Sequence, residues 1–421
     1  MNIGTFRAFK SRNYRLYFAG QSVSLIGTWM QRTAVSWIVY ILTHSTFMLG
    51  VTLFATQFPS FLLSLFGGVV SDRYNRFKVL LTTQFASMIQ SLLLAAVIIG
   101  AHYKWWDYNV SAIIALGVVL GIINAFDVPA RQALVYEMID NKEDLPNALA
   151  LNSSMVNLSR LIGPTVAGFV LEKLGDGTCF LLNAASFLAV ITSLLMMKLP
   201  PYVAKPRTQK ALADLRDGLV YLKGNRQLGS LILMLAIMSL FVLPFTTLLP
   251  VYAKVIFKGS ASTFGVIDGF IGLGALGGAI FLASVKPGTN LRRILFINTV
   301  VFGLGLIFFS HETIYPVALA FATMSGFGMM NQTTVTNTLL QTGAAPNMRG
   351  RVISFFAMSF FGMQPLGSLL IGSVSQVIGT PETLLCEGII AILVSLTFAY
   401  FVRKARLERE REGILADGPE L

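Results

Sequence analysis

Long apolar runs recur along this chain from one end to the other, and they limit its folds more than any other feature. Each run holds roughly 20 residues, which as an α-helix cross about 30 Å of hydrocarbon. Because 54% of all residues are hydrophobic and only 12% are charged, we predict an all-α polytopic membrane protein. The twelve predicted spans are 14–42, 46–70, 77–100, 110–131, 146–171, 178–197, 228–256, 261–285, 291–309, 314–341, 350–377 and 382–402.

The basic residues are distributed unevenly between the loops. With a cytoplasmic N-terminus, 26 of the 32 Lys and Arg residues lie on the cytoplasmic side and only 4 on the other. Cytoplasmic loops carry such an excess, so we predict a multi-pass protein of the inner or plasma membrane with both termini in the cytoplasm. No aromatic-interleaved basic groove accompanies the net charge of +12, which argues against nucleic-acid binding.

Prolines and basic residues interrupt the apolar pattern at 198–227. We predict a six-helix bundle over 1–197, a cytoplasmic linker over 198–227, a second six-helix bundle over 228–403 and a polar cytoplasmic tail over 404–421. Within the linker, leucines at helical spacing predict an amphipathic helix over 208–224, with a solvated linker as the alternative. These leucines are Leu212, Leu215, Leu219 and Leu222.

Weak internal similarity relates the two predicted bundles. Gly121 and Asn124 in the fourth span match Gly328 and Asn331 in the tenth at one constant offset. Equal helix counts and these matches favour a duplicated chain, whose two halves can rock about a site near the membrane midplane.

The segment from Gly67 to Lys78, between the second and third spans, combines small residues with an acid and three bases. Glycines permit close helix approach, and the charges indicate a latch where helix ends meet. The segment resembles the signature loop of the major facilitator superfamily, G-x-x-x-D-R-x-G-R-[KR], with Gly68, Asp72, Arg73 and Arg76 in register. Asn75 replaces the usual glycine, a replacement that is tolerable because Asn also visits left-handed conformations.

The resemblance implies a fold of two six-helix bundles and a role for this loop in gating. In the family the acid and second arginine of the loop join an acidic residue of the fourth span. Asp127 and Arg131, four residues apart on one helical face, would complete that latch here. Ordinary charge neutralisation without a gating role is the alternative.

The fifth span contains Gly163, Pro164 and Gly168. Proline bends a membrane helix, and small neighbours let another helix pack closely, which are properties of a pivot. The stretch is similar to the antiporter motif G-x8-G-x3-G-P-x2-G-G, although Ala150, Ser159 and Ala167 replace three of its glycines; generic helix packing is the alternative. Together these motifs resemble the enterobactin-exporter and macrolide-efflux branch of drug:proton antiporters.

Four ionisable residues lie within predicted spans: Arg32, Arg160, Asp268 and Glu387. Such groups are costly in hydrocarbon and are therefore candidates for function. We expect Asp268 to pair with Arg32 or Arg160, either as a proton-coupling group or as a permanent structural ion pair. Because the resemblance makes the twelfth span peripheral, Glu387 is the weaker candidate.

The resemblance also implies that spans one, four, seven and ten line a cavity. The predicted cavity residues are Gln21, Trp29, Gln31, Trp37, Asn124, Asn331, Gln332 and Asn337. The sequence contains no G-K-[ST] phosphate loop, and its three histidines and two cysteines lack metal-ligand spacing. We therefore expect no cofactor, no metal and no direct use of ATP.

The predicted function is export of an amphipathic small molecule such as a drug, siderophore or lipid, by a monomer that exchanges it for protons across the lipid bilayer. A proton-coupled importer or a facilitator on the same scaffold is the first alternative. An intramembrane enzyme or a receptor is a second class, which the spans do not favour because they contain no HExxH or GxSxG motif.

Overall fold

The computed structural model describes residues 4–199, 211–286 and 288–411. Parts of the predicted linker (200–210) and of the predicted tail (412–421) lie outside the described residues, as do the side chains of Leu65 and Asp72. The described residues are helical almost throughout and contain no β-strand.

Twelve long helices follow one another along the chain, and each coincides with one predicted span, which confirms the predicted all-α fold. Their bounds are α1 Arg12–Thr43, α2 Thr46–Arg73, α3 Arg76–His102, α4 Val110–Met138, α5 Leu145–Leu174, α6 Thr178–Leu195, α7 Arg226–Ile256, α8 Ala261–Ser284, α9 Leu291–Ser310, α10 Tyr315–Gly343, α11 Arg349–Ile378 and α12 Thr380–Arg411. A shorter linker helix, Ala211–Gly224, precedes α7.

Ten of the twelve helices contain stretches that are long and apolar enough to cross a membrane. The other two, α1 and α10, have 32 and 29 residues but carry more polar side chains along their length. Polar groups on these two helices include Gln31 and Arg32 on α1 and Asn331 and Gln332 on α10. A helix can hold such groups in a membrane when they face protein or a water-filled cavity.

Two of the helices are irregular, and proline accounts for both cases. In α7 the regular part ends at Phe241, and Leu243–Leu248, which contains Pro244, forms a 3-10 segment. In α11 a π-helical turn, Met358–Gly362, precedes Pro365. Proline lacks the backbone N–H that would bond to the carbonyl four residues earlier, so the neighbouring backbone adopts other hydrogen bonds.

The chain forms two compact units. The first unit combines Met1–Arg207 with Leu249–Gly269, and so includes the first nine residues of α8. An apolar cluster in this unit joins α1, α3, α4, α5 and α6 through buried residues such as Tyr14, Leu134 and Val190.

The second unit combines Thr208–Leu248 with Phe270–Leu421. Backbones approach closely in both units at glycines: a Cβ on Gly303 of α9 would lie 2.7 Å from the carbonyl oxygen of Gly388 on α12. Such contacts between small residues replace hydrophobic burial as the means of joining helices in lipid.

Candidate functional site

Arg32 of α1, Arg160 of α5 and Asp268 of α8 come together in the first unit. Electrostatic interactions connect Asp268 with both arginines, and the two arginines repel each other. Arg32 is exposed, whereas Arg160 and Asp268 are partly buried. The structure thus places all three predicted coupling residues in one cluster with two positive charges and one negative charge.

Trp29 lies beside both arginines of this cluster. The Arg32 Cζ atom is 5.0 Å from the centroid of the Trp29 ring, and the Arg160 Cζ atom is 5.7 Å from it. A guanidinium group at this distance is attracted by the indole ring, more strongly where water is excluded. Trp29, a predicted cavity residue, therefore helps to hold the two like charges near each other.

Glycines set the distances between the helices that carry the cluster. Gly163 of α5 packs against the Cβ of Trp29, so any larger side chain there would separate α5 from α1. On the next turn, a Cβ on Gly168 would lie 2.6 Å from the carbonyl oxygen of Ala261 on α8. Pro164, the third predicted pivot residue, contacts Gly265 of α8 through its carbonyl oxygen. All three pivot residues therefore lie at close helix contacts around the cluster.

Trp37 lies two turns beyond Trp29 on α1 and is buried. Its ring stacks with that of Phe264 on α8, with centroids 6.2 Å apart and an interplanar angle of 18°. Asn124 on α4 is partly buried.

Gln31 is buried in a chain of side-chain amides that crosses the first unit. Its Nε2 donates to Gln90 Oε1 of α3 at 3.0 Å, and its Oε1 accepts a hydrogen bond from Asn183 Nδ2 of α6 at 2.8 Å. Gln21, on the same helix, is 2% exposed, and its Oε1 has no hydrogen-bond partner in the described part of the chain. Both polar atoms of the Gln31 side chain are thus bonded to neighbouring helices, the nitrogen to Gln90 and the oxygen to Asn183.

The remaining predicted cavity residues lie on α10 in the second unit. Asn331 and Gln332 are fully buried, and Asn331 Nδ2 donates to Asn298 Oδ1 of α9 at 2.9 Å. Asn337 is partly buried and accepts a hydrogen bond from Gln341 at 3.1 Å.

Asp127 of α4 is the best-satisfied acid of the first unit. Its Oδ1 accepts hydrogen bonds from Thr83 Oγ1 at 2.8 Å and from Gln84 Nε2 at 2.6 Å, and its Oδ2 pairs with Arg131. The carboxylate is only 2% exposed, so this pairing and hydrogen bonding offset its desolvation. Two of the predicted latch residues, Asp127 and Arg131, thus form an ion pair within one helix.

Arg76 of the signature loop pairs with an acid that the sequence analysis missed. Its Nη1 lies 2.8 Å from Glu137 Oε1, in the last turn of α4. The predicted fourth span ended at residue 131, whereas the helix continues to Met138, and this extension carries Glu137. Arg73 is exposed at the end of α2, and the side chain of Asp72 lies outside the described part of the structure.

The two glycines before the loop, Gly67 and Gly68, differ in their contacts with α4. Gly67 packs against the backbone of Ala125 and Phe126 on α4, whereas a Cβ on Gly68 would meet nothing within 4 Å. Asn75 does not adopt a left-handed conformation: its φ is −61° and its ψ is 111°, which is extended backbone. Asn75 instead caps α3, because its side chain accepts a hydrogen bond from the N–H of Lys78 at 3.2 Å.

Twelve long helices, of which ten are long and apolar enough to cross a membrane, and a cluster of charged residues on α1, α5 and α8 are typical of a multi-pass membrane transporter. The chain belongs to the transmembrane secretion effector family of the major facilitator superfamily, whose profile matches residues 3–414. Family members of this kind are transporters rather than enzymes, and the match confirms the predicted superfamily.

Similar proteins include transporters of siderophores and drugs. The chain is 26% identical to the staphyloferrin A transporter of Staphylococcus aureus, over 94% of this chain and 98% of that protein. It is 24% identical to the enterobactin exporter EntS of Salmonella typhimurium, over 94% of each chain. It is also 24% identical to the multidrug efflux pump Tap of Mycobacterium bovis, over 89% of this chain and 90% of that protein.

Solved transporter structures share the fold at low sequence identity. A POT family transporter in complex with 5-aminolevulinic acid matches with a TM-score of 0.74 and 13% identity, covering 94% of this chain and 96% of that one. A D-xylose–proton symporter matches with a TM-score of 0.72 and 14% identity, covering 93% and 97%. The two-bundle major facilitator fold is therefore established for this chain.

Proposed function

We propose that this protein exports an amphipathic small molecule in exchange for protons, by alternating access across the inner membrane. The observation that carries the proposal is the cluster in which one carboxyl, Asp268, interacts with two arginines, Arg32 and Arg160. A carboxyl in this position can change its protonation state without leaving the membrane, which is what proton coupling requires.

The charge balance of the cluster gives Asp268 two stable states. When ionised, it offsets one of the two guanidinium charges and holds α8 beside α1 and α5. When protonated, it releases the arginines, whose mutual repulsion then favours a different helix arrangement. Proton binding on the outside and proton release on the inside would therefore drive the cycle, and substrate would leave on the return step.

Close packing provides a pivot for this rearrangement. Gly163, Pro164 and Gly168 let α5 approach α1 and α8 closely, with backbone contacts to Ile26, Ala261 and Gly265, so the helices can tilt about these points. At the other end of the unit, the pairs Asp127–Arg131 and Arg76–Glu137 would stabilise one state as a latch. We place this latch and both termini in the cytoplasm, and we expect the exporter to act as a monomer.

The functions of the relatives support the substrate class. They are a staphyloferrin A transporter, an enterobactin exporter and a multidrug efflux pump. The partly exposed ring of Trp29 beside the two arginines suits a molecule with both apolar and polar parts.

The test is transport by intact cells of a strain that lacks its own efflux pumps. Cells that express the protein are preloaded with a panel of dyes, antibiotics and siderophores, and an inward proton gradient is imposed. We expect faster loss of at least one compound, abolished by an uncoupler and by Asp268→Asn, but not by the control Glu312→Gln in the loop between α9 and α10. Accumulation of the compound under the same gradient would support the importer instead.

A further inference from the structure

Glu387 of α12 is a carboxyl in the second unit that the proposed mechanism does not use. Its side chain is 1% exposed, and neither carboxylate oxygen has a hydrogen-bond partner among the residues that the structure describes. An acid buried in this way contrasts with Asp127, whose oxygens are bonded to three side chains.

Nearby hydroxyl groups on α12 donate their hydrogen bonds to backbone carbonyl groups and not to Glu387. Thr383, one turn before Glu387, donates its hydroxyl to the Gly379 carbonyl at 2.6 Å. Ser395, two turns after it, donates to the Phe296 carbonyl at 3.1 Å. The adjacent Gly388 lies against Gly303 of α9, which closes the interface around the carboxyl.

Charged residues on the packed helices lie toward the helix ends. Neither carboxylate oxygen of Glu387 is bonded to a charged side chain in the part of the chain that is described. The titratable side chains that are described for the second unit on α7, α9, α11 and α12, with His311 directly after α9, are Arg226, Arg292, Arg293, His311, Arg349, Arg351, Glu382, Cys386, Tyr400, Arg403 and Lys404.

An ionised carboxylate without any donor or counter-charge is far more costly in such a site than the protonated acid. Glu387 lies seven residues from the first residue of α12. That spacing corresponds to about 10 Å along a helix. This helix begins on the side that we predict to be external.

We propose that Glu387 is a second proton-carrying group, protonated in this conformation and ionised when the contact between α9 and α12 loosens. In that step the O–H bond breaks, the proton passes to water that enters the interface, and the hydrated carboxylate remains until it is protonated again from outside. The Gly303–Gly388 contact provides the place to open, because the two backbones meet there directly, beside the side chains of Ile307 and Ile392. This inference rests on the proposed proton exchange.

The test measures proton stoichiometry in liposomes that contain the purified full-length protein and a substrate found in the cell assay. The zero-flux condition is determined under opposed substrate and proton gradients for the wild type and for Glu387→Gln. We expect the variant to lose one proton per substrate molecule, whereas the exposed-residue control Glu382→Gln keeps the wild-type ratio. An unchanged ratio in Glu387→Gln overturns the inference, while a wild type that moves no protons overturns the proposed function itself.

Infrared difference spectroscopy provides a second measurement if Glu387→Gln does not fold. Substrate addition to the Asp268→Asn variant should still change the carbonyl band of a protonated carboxylic acid, because Glu387 remains. Absence of any such change, in protein that binds substrate, would contradict a proton-carrying role for Glu387.

Discussion

Arg76 at the start of α3 donates a hydrogen bond from Nη1 to Glu137 Oε1 in the last turn of α4, at 2.8 Å. Both side chains are 26% exposed, so water screens the pair, and its contribution to stability should not exceed about 1 kcal/mol. We therefore predict that Arg76→Gln and Glu137→Gln each leave the melting temperature nearly unchanged.

The same pair should nevertheless affect the balance between conformations if it belongs to a latch. Arg76→Gln and Glu137→Gln should raise the reactivity of a cysteine introduced near the C-terminal ends of α2 and α4, and the double variant should resemble either single one. Arg12→Gln is the matched control, because Arg12 is exposed and lies outside the signature loop. Equal reactivity in all variants would leave the pair without a gating role.

Gly67 and Gly68 form a natural pair of test positions for steric contact. Gly67→Ala places a methyl group against the backbone of Ala125, which should cost about 1–3 kcal/mol through displacement of α2 from α4. Gly68→Ala meets open space and gains helix propensity, so it should be neutral or stabilising by up to about 1 kcal/mol. Melting in detergent checks both, and a larger loss in Gly68→Ala would contradict the packing.

Removing the Asp127 carboxylate should destabilise the first unit. Asp127→Ala leaves Arg131, Thr83 and Gln84 without their acceptor, at a cost of about 2–4 kcal/mol. Asp127→Asn retains one acceptor oxygen and should cost less. Thiol labelling of the buried Cys179 reports unfolding when the exposed Cys386 is replaced by serine. Equal labelling of Asp127→Ala and the parent protein during heating would refute the prediction.

A substitution at Gln31 distinguishes a structural role between helices from a role in binding substrate. Gln31→Leu deprives both Gln90 and Asn183 of an amide partner, so it should lower stability by about 1–3 kcal/mol. Because the amide is used between helices, transport per folded molecule and the order of preferred substrates should stay as in the wild type. A changed substrate order would instead place Gln31 at the cavity, as its sequence position predicts.

The apolar runs predicted every long helix because the thickness of hydrocarbon fixes the length of a spanning segment. The same rule made the predicted fourth span too short. The predicted span ended at residue 131, where the apolar run ends, whereas α4 continues for seven more residues, which include Glu137. Ion pairs such as Arg76–Glu137 depend on where two distant helix ends meet, which neither periodicity nor composition records.

The signature loop shows a second limit of the sequence pattern. It drew attention to Gly68 because that glycine is in register with the family motif, whereas the close helix contact is made by its neighbour Gly67. The cluster of Arg32, Arg160 and Asp268 was predictable, since charges are rare in spans and seek one another. The position of Trp29 between the two arginines required the structure.

The central claim is that Asp268 couples proton movement to transport, and proton flux driven by a substrate gradient tests it most directly. Purified protein in liposomes with a pH-sensitive dye inside should move protons opposite to the substrate. Asp268→Asn should bind the substrate, measured by quenching of tryptophan fluorescence, but should move no protons. Substrate-driven proton flux at the wild-type rate in Asp268→Asn would contradict the account.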